Sequence, residues 1–198
     1  MTGTLVLALA LTAADGPKTG TVLENGYAVV TRNGAPCAAG RAPSCGDRVL
    51  VALGAIELHA GGKVRRLGRG DIAVFTAGQP YEAPAAGEFL EVSLRPDHPP
   101  VQRAAVRIAP EKNRIVYDGP RFFVFEEMLP PGETRARHSH NQRVVVVLNE
   151  TELHQWPDGA PEVDRKQVPD DVHFNQPVVH AVKTTGKQPL RNIVIELK

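Results

Sequence analysis

Apolar residues in this chain fall in short β-branched runs, broken every eight to twelve residues or so by turn formers, a pattern of half-buried strands. FFVFEEML (122–129), RVVVVL (143–148), VHFN (172–175) and RNIVIEL (191–197) read as strands, and LPPGET, WPDGAP and TTGKQPL read as turns. Polar and charged residues flank the apolar runs, so each strand is expected to bury one face. No segment predicts a long helix, and the whole reads as an all-β chain folded as a jelly roll or small barrel.

The pattern is written twice. RVLVALGAIELH, from Arg48, matches RVVVVLNETELH, from Arg143, at an offset of 95. DIAVFTAGQPYEA, from Asp71, answers DDVHFNQPVVHAV, from Asp170, at an offset of 99, and EFLEVSL near Glu88 answers RNIVIEL near Arg191. The second half carries its extra residues in WPDGAPEVDRK. A tandem duplication follows, with a tail or truncated signal over residues 1–19, one unit over 20–100 and another over 101–198, joined through the proline-rich RPDHPPVQRA.

Composition narrows the partners. The chain has 198 residues, with 23 basic and 22 acidic side chains interspersed, giving a net charge of +1. That is not the footprint of a nucleic-acid binder. The basic run KVRRLGR (63–69) reads as a solvated strand or turn and is given no role. Leu5 to Ala14 forms an apolar core too short for a membrane span. If it is a signal core the protein is secreted or periplasmic; otherwise it is cytoplasmic. Cys37 and Cys45 flank a Gly/Pro-rich loop and would pair only in an oxidising compartment.

The chemistry concentrates in PGETRARHSHNQRVVVVL, from Pro131 to Leu148. Residues at i and i+2 of a strand share a face, so His138 and His140 project together and can supply part of a metal coordination shell. Gly132 precedes His138 by six residues, and His180 follows His140 by forty. On these residues the chain resembles the cupin superfamily, whose first motif is Gly, five residues, His-x-His and a downstream Glu, and whose second motif ends in a single His. The resemblance implies two tandem double-stranded β-helix barrels, with His138, His140 and His180 as the ligands of one divalent transition metal (Fe, Mn, Ni or Zn) in the second.

The motif is incomplete. Val144 and Val145 stand where the family places its Glu; Pro169 and Asp170 replace the usual Gly-Asp, and Thr184 replaces Asn. Gln142 shares the histidines' parity, one of Glu126 and Glu127 should face inward to replace the missing carboxylate, and His173 is a candidate pocket base. In the first half Pro43, Cys45 and Tyr81 align with the three histidines, so that barrel is expected to be degenerate. The resulting reading is a metal-dependent oxygenase or isomerase acting on a small organic molecule. Its alternative is a non-catalytic bicupin that binds or senses a small ligand. No nucleophile elbow, phosphate loop or dinucleotide fingerprint accompanies the motif. Two fused barrels already form a pseudo-dimer, leaving a homodimer optional.

Overall fold

The computed structural model describes residues 19–35, 45–108 and 113–198. The candidate signal core, Cys37 and Pro43 lie outside the described residues. Cys45 is disulfide-bonded.

All regular structure among the described residues is β. The first half supplies β1 (Gly20–Glu24), β2 (Ala28–Arg32), β3 (Arg48–Ala52), β4 (Ile56–Ala60), β5 (Lys63–Leu67), β6 (Ile72–Phe75) and β7 (Phe89–Leu94). The second supplies β8 (Asn113–Asp118), β9 (Phe122–Leu129), β10 (Thr134–His140), β11 (Arg143–Val147), β12 (Thr151–Pro157), β13 (Val163–Gln167), β14 (Val172–Asn175), β15 (Val178–Thr184) and β16 (Leu190–Leu197).

Sheet order carries the duplication into three dimensions. One sheet runs β1-β2-β7-β3-β6 and another runs β8-β9-β16-β11-β14, the same connectivity with each strand replaced by its repeat counterpart. The hairpin β4-β5 corresponds to β12-β13, which the second half extends into the sheet β10-β15-β12-β13. Arg48 pairs with Phe75 and Arg143 with Asn175, so Phe75 corresponds to Asn175, one residue beyond the match expected from Asp71 and Asp170. That single step moves side chains across the sheet. Phe75 fills the first barrel, whereas Phe174 packs into the inter-barrel cluster and Asn175 lines a cavity.

The expectation of one buried face fails for the central strands, because a second barrel covers the other. All five residues of β3 and all five of β11 are buried. Val49 and Val51 from one half meet Val144, Val146, Ile193 and Ile195 from the other in one core cluster, while Leu50 and Val145 point into their own barrels. Polar contacts frame this seam. Arg69, placed in a run given no role, donates through Nη1 to the Leu53 carbonyl and through Nη2 to the Leu148 carbonyl and Asp170 Oδ1, each at 2.7 Å. Tyr27 stacks on Phe174 with centroids 5.2 Å apart.

Gly70 reports on this seam. Its φ is +86°, and a Cβ there would lie 2.8 Å from Leu148 Cδ1 and 3.0 Å from Arg191 Nη2, both across the interface. At Gly61, with φ +56°, nothing lies within 4 Å of the same atom. Both alanine variants carry backbone strain, but only Gly70→Ala also overpacks. Its unfolding free energy should fall by about 1–3 kcal/mol more than that of Gly61→Ala in urea titrations. Equal losses would mean that the seam yields freely.

Candidate metal centre

The second barrel's interior is built by strand alternation interrupted once. In β10 the register against β15 shifts between Arg135 and His138. Without that bulge Arg135 and His138 would face opposite ways; with it, Arg135, His138 and His140 all turn inward and are buried. Arg137 stays outside and pairs with Asp158. Across the ladder His138 sits directly opposite His180 of β15. Ser139, on the outer side, is covered by the inter-barrel segment, exchanging hydrogen bonds with the Ile108 backbone.

The three imidazoles converge. One nitrogen from each lies within 4.8 Å of the others, and all three rings are buried. Ring centroids are 4.8 Å apart for His138 and His140, and 4.6 Å for His138 and His180. His138 Nδ1 lies 2.8 Å from the Ala136 carbonyl, which can only accept, so Nδ1 carries the proton and Nε2 presents its lone pair. His140 Nδ1 lies 3.0 Å from Glu196 Oε2, which orients that ring in the same sense. Among the described residues, Nε2 of His138 and both nitrogens of His180 are buried without a hydrogen-bond partner.

Electrostatics keep the cluster neutral. Burial, with Arg143 close by, draws the His140 pKa down to about 3. Burial and the two neighbouring imidazoles draw His180 down to about 2. His138 is also lowered, chiefly by burial, with the Ala136 carbonyl and Glu127 opposing. Neutral imidazoles with unshared lone pairs are the form that ligates a metal. The residues present therefore fit such an ion, with orphaned nitrogens aimed at a common point.

Of the acidic pair on β9, Glu127 faces the site and Glu126 does not. Phe123, Phe125 and Leu129 share the inward face, whereas Phe122 and Val124 line the inter-barrel core. Glu126, on that outer side, is held by Arg114 at 2.7 Å and Arg191 at 2.6 Å, so it is not a pocket residue. Glu127 pairs through Oε1 with Arg135 at 2.6 Å and accepts from Asn192 through Oε2 at 3.2 Å. Burial raises its pKa, but Arg135, the His140 ring and Asn192 outweigh this and hold it below the usual carboxylate range.

Two other expectations change. Gln142 lies past the end of β10, where parity no longer applies. It is buried, but its Oε1 accepts from Gln102 N at 2.9 Å and its Nε2 donates to Gln176 Oε1 at 2.9 Å, so both ends of its amide brace the connecting segment. His173 lines the cavity from β14 and is exposed, and it is not one of the converging imidazoles. Sequence reasoning missed Glu196, Arg143 and Asn192. The signal for Glu196 and Asn192 was present: along β16 the residues alternating with the inter-barrel Ile193, Ile195 and Leu197 are Leu190, Asn192, Val194 and Glu196, so two polar groups point inward.

A cavity of about 560 Å³ opens onto the cluster, walled by Val145, Leu153, Val182 and Leu190 and lined by His140, His180, Arg143, Glu127 and Asn175. The first barrel differs at the equivalent place. Phe75 and Tyr81 stack with centroids 4.5 Å apart, the Arg48 guanidinium lies 5.9 Å from each ring centroid, and Tyr81 hydrogen-bonds Glu91. His59 bridges Glu82 as its counterpart His154 pairs with Lys183, a step of two residues from the match at Asp71 and Asp170.

No family model matches the sequence, and no curated protein matches it. Solved structures do. A Cupin 2 conserved barrel domain protein from Leptotrichia buccalis superposes with a TM-score of 0.56 at 16% identity, over 94% of this chain and 91% of its own. AerE from Microcystis aeruginosa superposes with a TM-score of 0.52 at 13% identity, over 92% of this chain and 98% of its own. No helix among the described residues is long and apolar enough to cross a membrane. The repeated sheet order and these likenesses over nearly the whole chain identify an all-β protein of the cupin fold, two barrels in tandem.

Proposed function

We propose that the second barrel holds one divalent transition metal (Fe, Mn, Ni or Zn) on His138, His140 and His180, and that its cavity receives a small organic molecule. The convergence of three buried, neutral imidazoles with orphaned nitrogens carries this reading. A bound ion would supply Lewis acidity toward a substrate oxygen, or redox capacity if it is iron or manganese.

The chain's own groups do the rest. Glu196 and the Ala136 carbonyl hold two rings in the ligating tautomer. The apolar wall limits competing water, and Asn175, Gln155 and Arg143 offer polar contacts to whatever enters. These features support the enzyme reading, an oxygenase or isomerase. One observation favours a binding or sensing role instead: both oxygens of Glu127 are engaged, so this inward carboxylate is not poised to move a proton.

Protein purified without chelator should contain about one equivalent of transition metal by elemental analysis, and the His138→Ala/His140→Ala double variant should contain almost none. Unchanged metal content in that variant would refute the assignment. Iron-loaded protein tested in an oxygen electrode against small thiols, diketones and phenols then separates the roles. Uptake with any of them supports the oxygenase, and a blank across the panel favours an isomerase or a binder.

A further inference from the structure

Arg143 brings a positive charge to the wall of the cavity. It opens β11, is buried, and lines the cavity together with His140 and His180. Its Nη1 donates to the Asn141 carbonyl at 3.1 Å and the Gln176 carbonyl at 3.0 Å. Among the described residues its Nε and Nη2 have no acceptor, and no carboxylate forms an ion pair with it. It is nevertheless a cation at neutral pH, since burial brings its pKa down only to about 10.

The carboxylates around it are committed elsewhere. Glu127 is paired with Arg135, and Glu196 accepts from Asn141 N through Oε1 and faces His140 through Oε2. Of the other charged residues lining the cavity, Asp164 is held by His154 and Lys166 by Glu150, while Arg165 is exposed on β13. Glu127 and Glu196 act on the guanidinium through their charge, but among the described residues no carboxylate contacts its Nε/Nη2 edge, which leaves that edge free to pair with a ligand.

The molecule contains its own comparison. Arg48 occupies the matching position in the first barrel, where the Phe75 and Tyr81 rings cover it and the Thr76 and Gln79 carbonyls accept from it. In the second barrel Asn175 replaces Phe75, and the arginine opens onto empty volume. Nε and Nη2 form the side-on fork of a guanidinium, two parallel donors that match the two oxygens of a carboxylate. Glu127 and Glu196 nearby favour a carboxylate, with one charge on the group that meets the guanidinium, over a phosphate that concentrates two charges there.

We propose that the cavity selects small carboxylic acids, with one carboxylate seated on the Nε/Nη2 edge of Arg143 beside the three histidines. This deepens the functional reading above and rests on its cavity, but not on metal being present. Chelator-treated protein is titrated with succinate and, separately, with its uncharged analogue succinamide, followed by backbone amide NMR shifts. Succinate should bind the wild type about tenfold or more tighter than succinamide, the two should bind alike in Arg143→Gln, and Arg143→Lys should keep part of the preference.

Equal affinities in the wild type, or an unchanged preference in Arg143→Gln, would overturn the assignment. Inorganic phosphate binding as tightly as succinate would also overturn it. The wild-type comparison needs no variant to fold. Failure of the metal reading shows separately, as metal retained by the His138→Ala/His140→Ala variant, and leaves the metal-free titration intact.

Discussion

Replacing Arg135 by alanine should lower the unfolding free energy by about 3–5 kcal/mol, one of the largest single losses available in this molecule. Arg135 is 2% exposed and reaches Glu127 Oε1 at 2.6 Å and the Met128 carbonyl at 2.8 Å. Truncation strands a buried carboxylate whose remaining side-chain donor is Asn192. Glu127 must then either stay charged without its cation or take up a proton, and either course costs the folded state. Replacing both partners by leucine should recover most of the loss, because an apolar pair of similar volume carries no desolvation penalty. A urea double-mutant cycle measures this directly. A single variant costing less than about 1 kcal/mol would mean that water reaches the pair freely.

The same substitution reaches the histidine cluster. Arg135 is among the cations that hold the His138 and His140 pKa values down, while Glu127 acts to raise them. Removing the arginine makes the imidazoles easier to protonate, so the proposed metal binding should weaken toward acid pH with all three histidines still in place. The bulge that turns Arg135 inward therefore serves the site as well as the barrel wall.

Strand parity made part of this legible in the sequence. His138 and His140 share a face in any strand, and the internal repeat separated a half bearing the three converging histidines from one lacking them. Parity failed where the backbone stops being a regular strand. The bulge puts Arg135 inward and leaves Arg137 out, and Gln142 lies beyond the strand end. Which of Glu126 and Glu127 faces the site depends on which side of β9 meets the other barrel, a long-range fact that β9 does not encode. The all-buried valines of β11 carried that information, since a strand buried on both faces has a neighbour on each. Arg143 stayed hidden for a related reason. An arginine beginning a strand ordinarily reads as a solvated end, and only the register against Phe75 and Asn175 shows that this one faces a cavity.

Metal-free protein should lose stability steadily as pH falls below 6.5, the ordinary histidine value from which His140 is lowered to about 3 and His180 to about 2. The sign follows from proton counting. Below 6.5 the unfolded chain binds protons on these imidazoles and the folded chain does not, so lowering the pH favours the unfolded state. Each imidazole held neutral contributes a slope of about 1.4 kcal/mol per pH unit, continuing until its folded-state pKa is reached. Glu196 works against this, because burial raises its pKa and the folded state gains a proton there as pH falls. Glu127, held low, adds to the acid loss only once the unfolded chain's carboxylates begin to protonate, below the ordinary value of 4.5. Between those two limits the histidines dominate. Denaturant midpoints of chelator-treated protein from pH 7.5 down to 5 should therefore slope downward, and His180→Leu should flatten the slope by removing the imidazole lowered furthest. A flat wild-type profile would mean that the cluster admits protons as readily as solvent-exposed histidines do. It would then lack the dry, neutral environment on which both ligation and the proposed carboxylate selectivity depend.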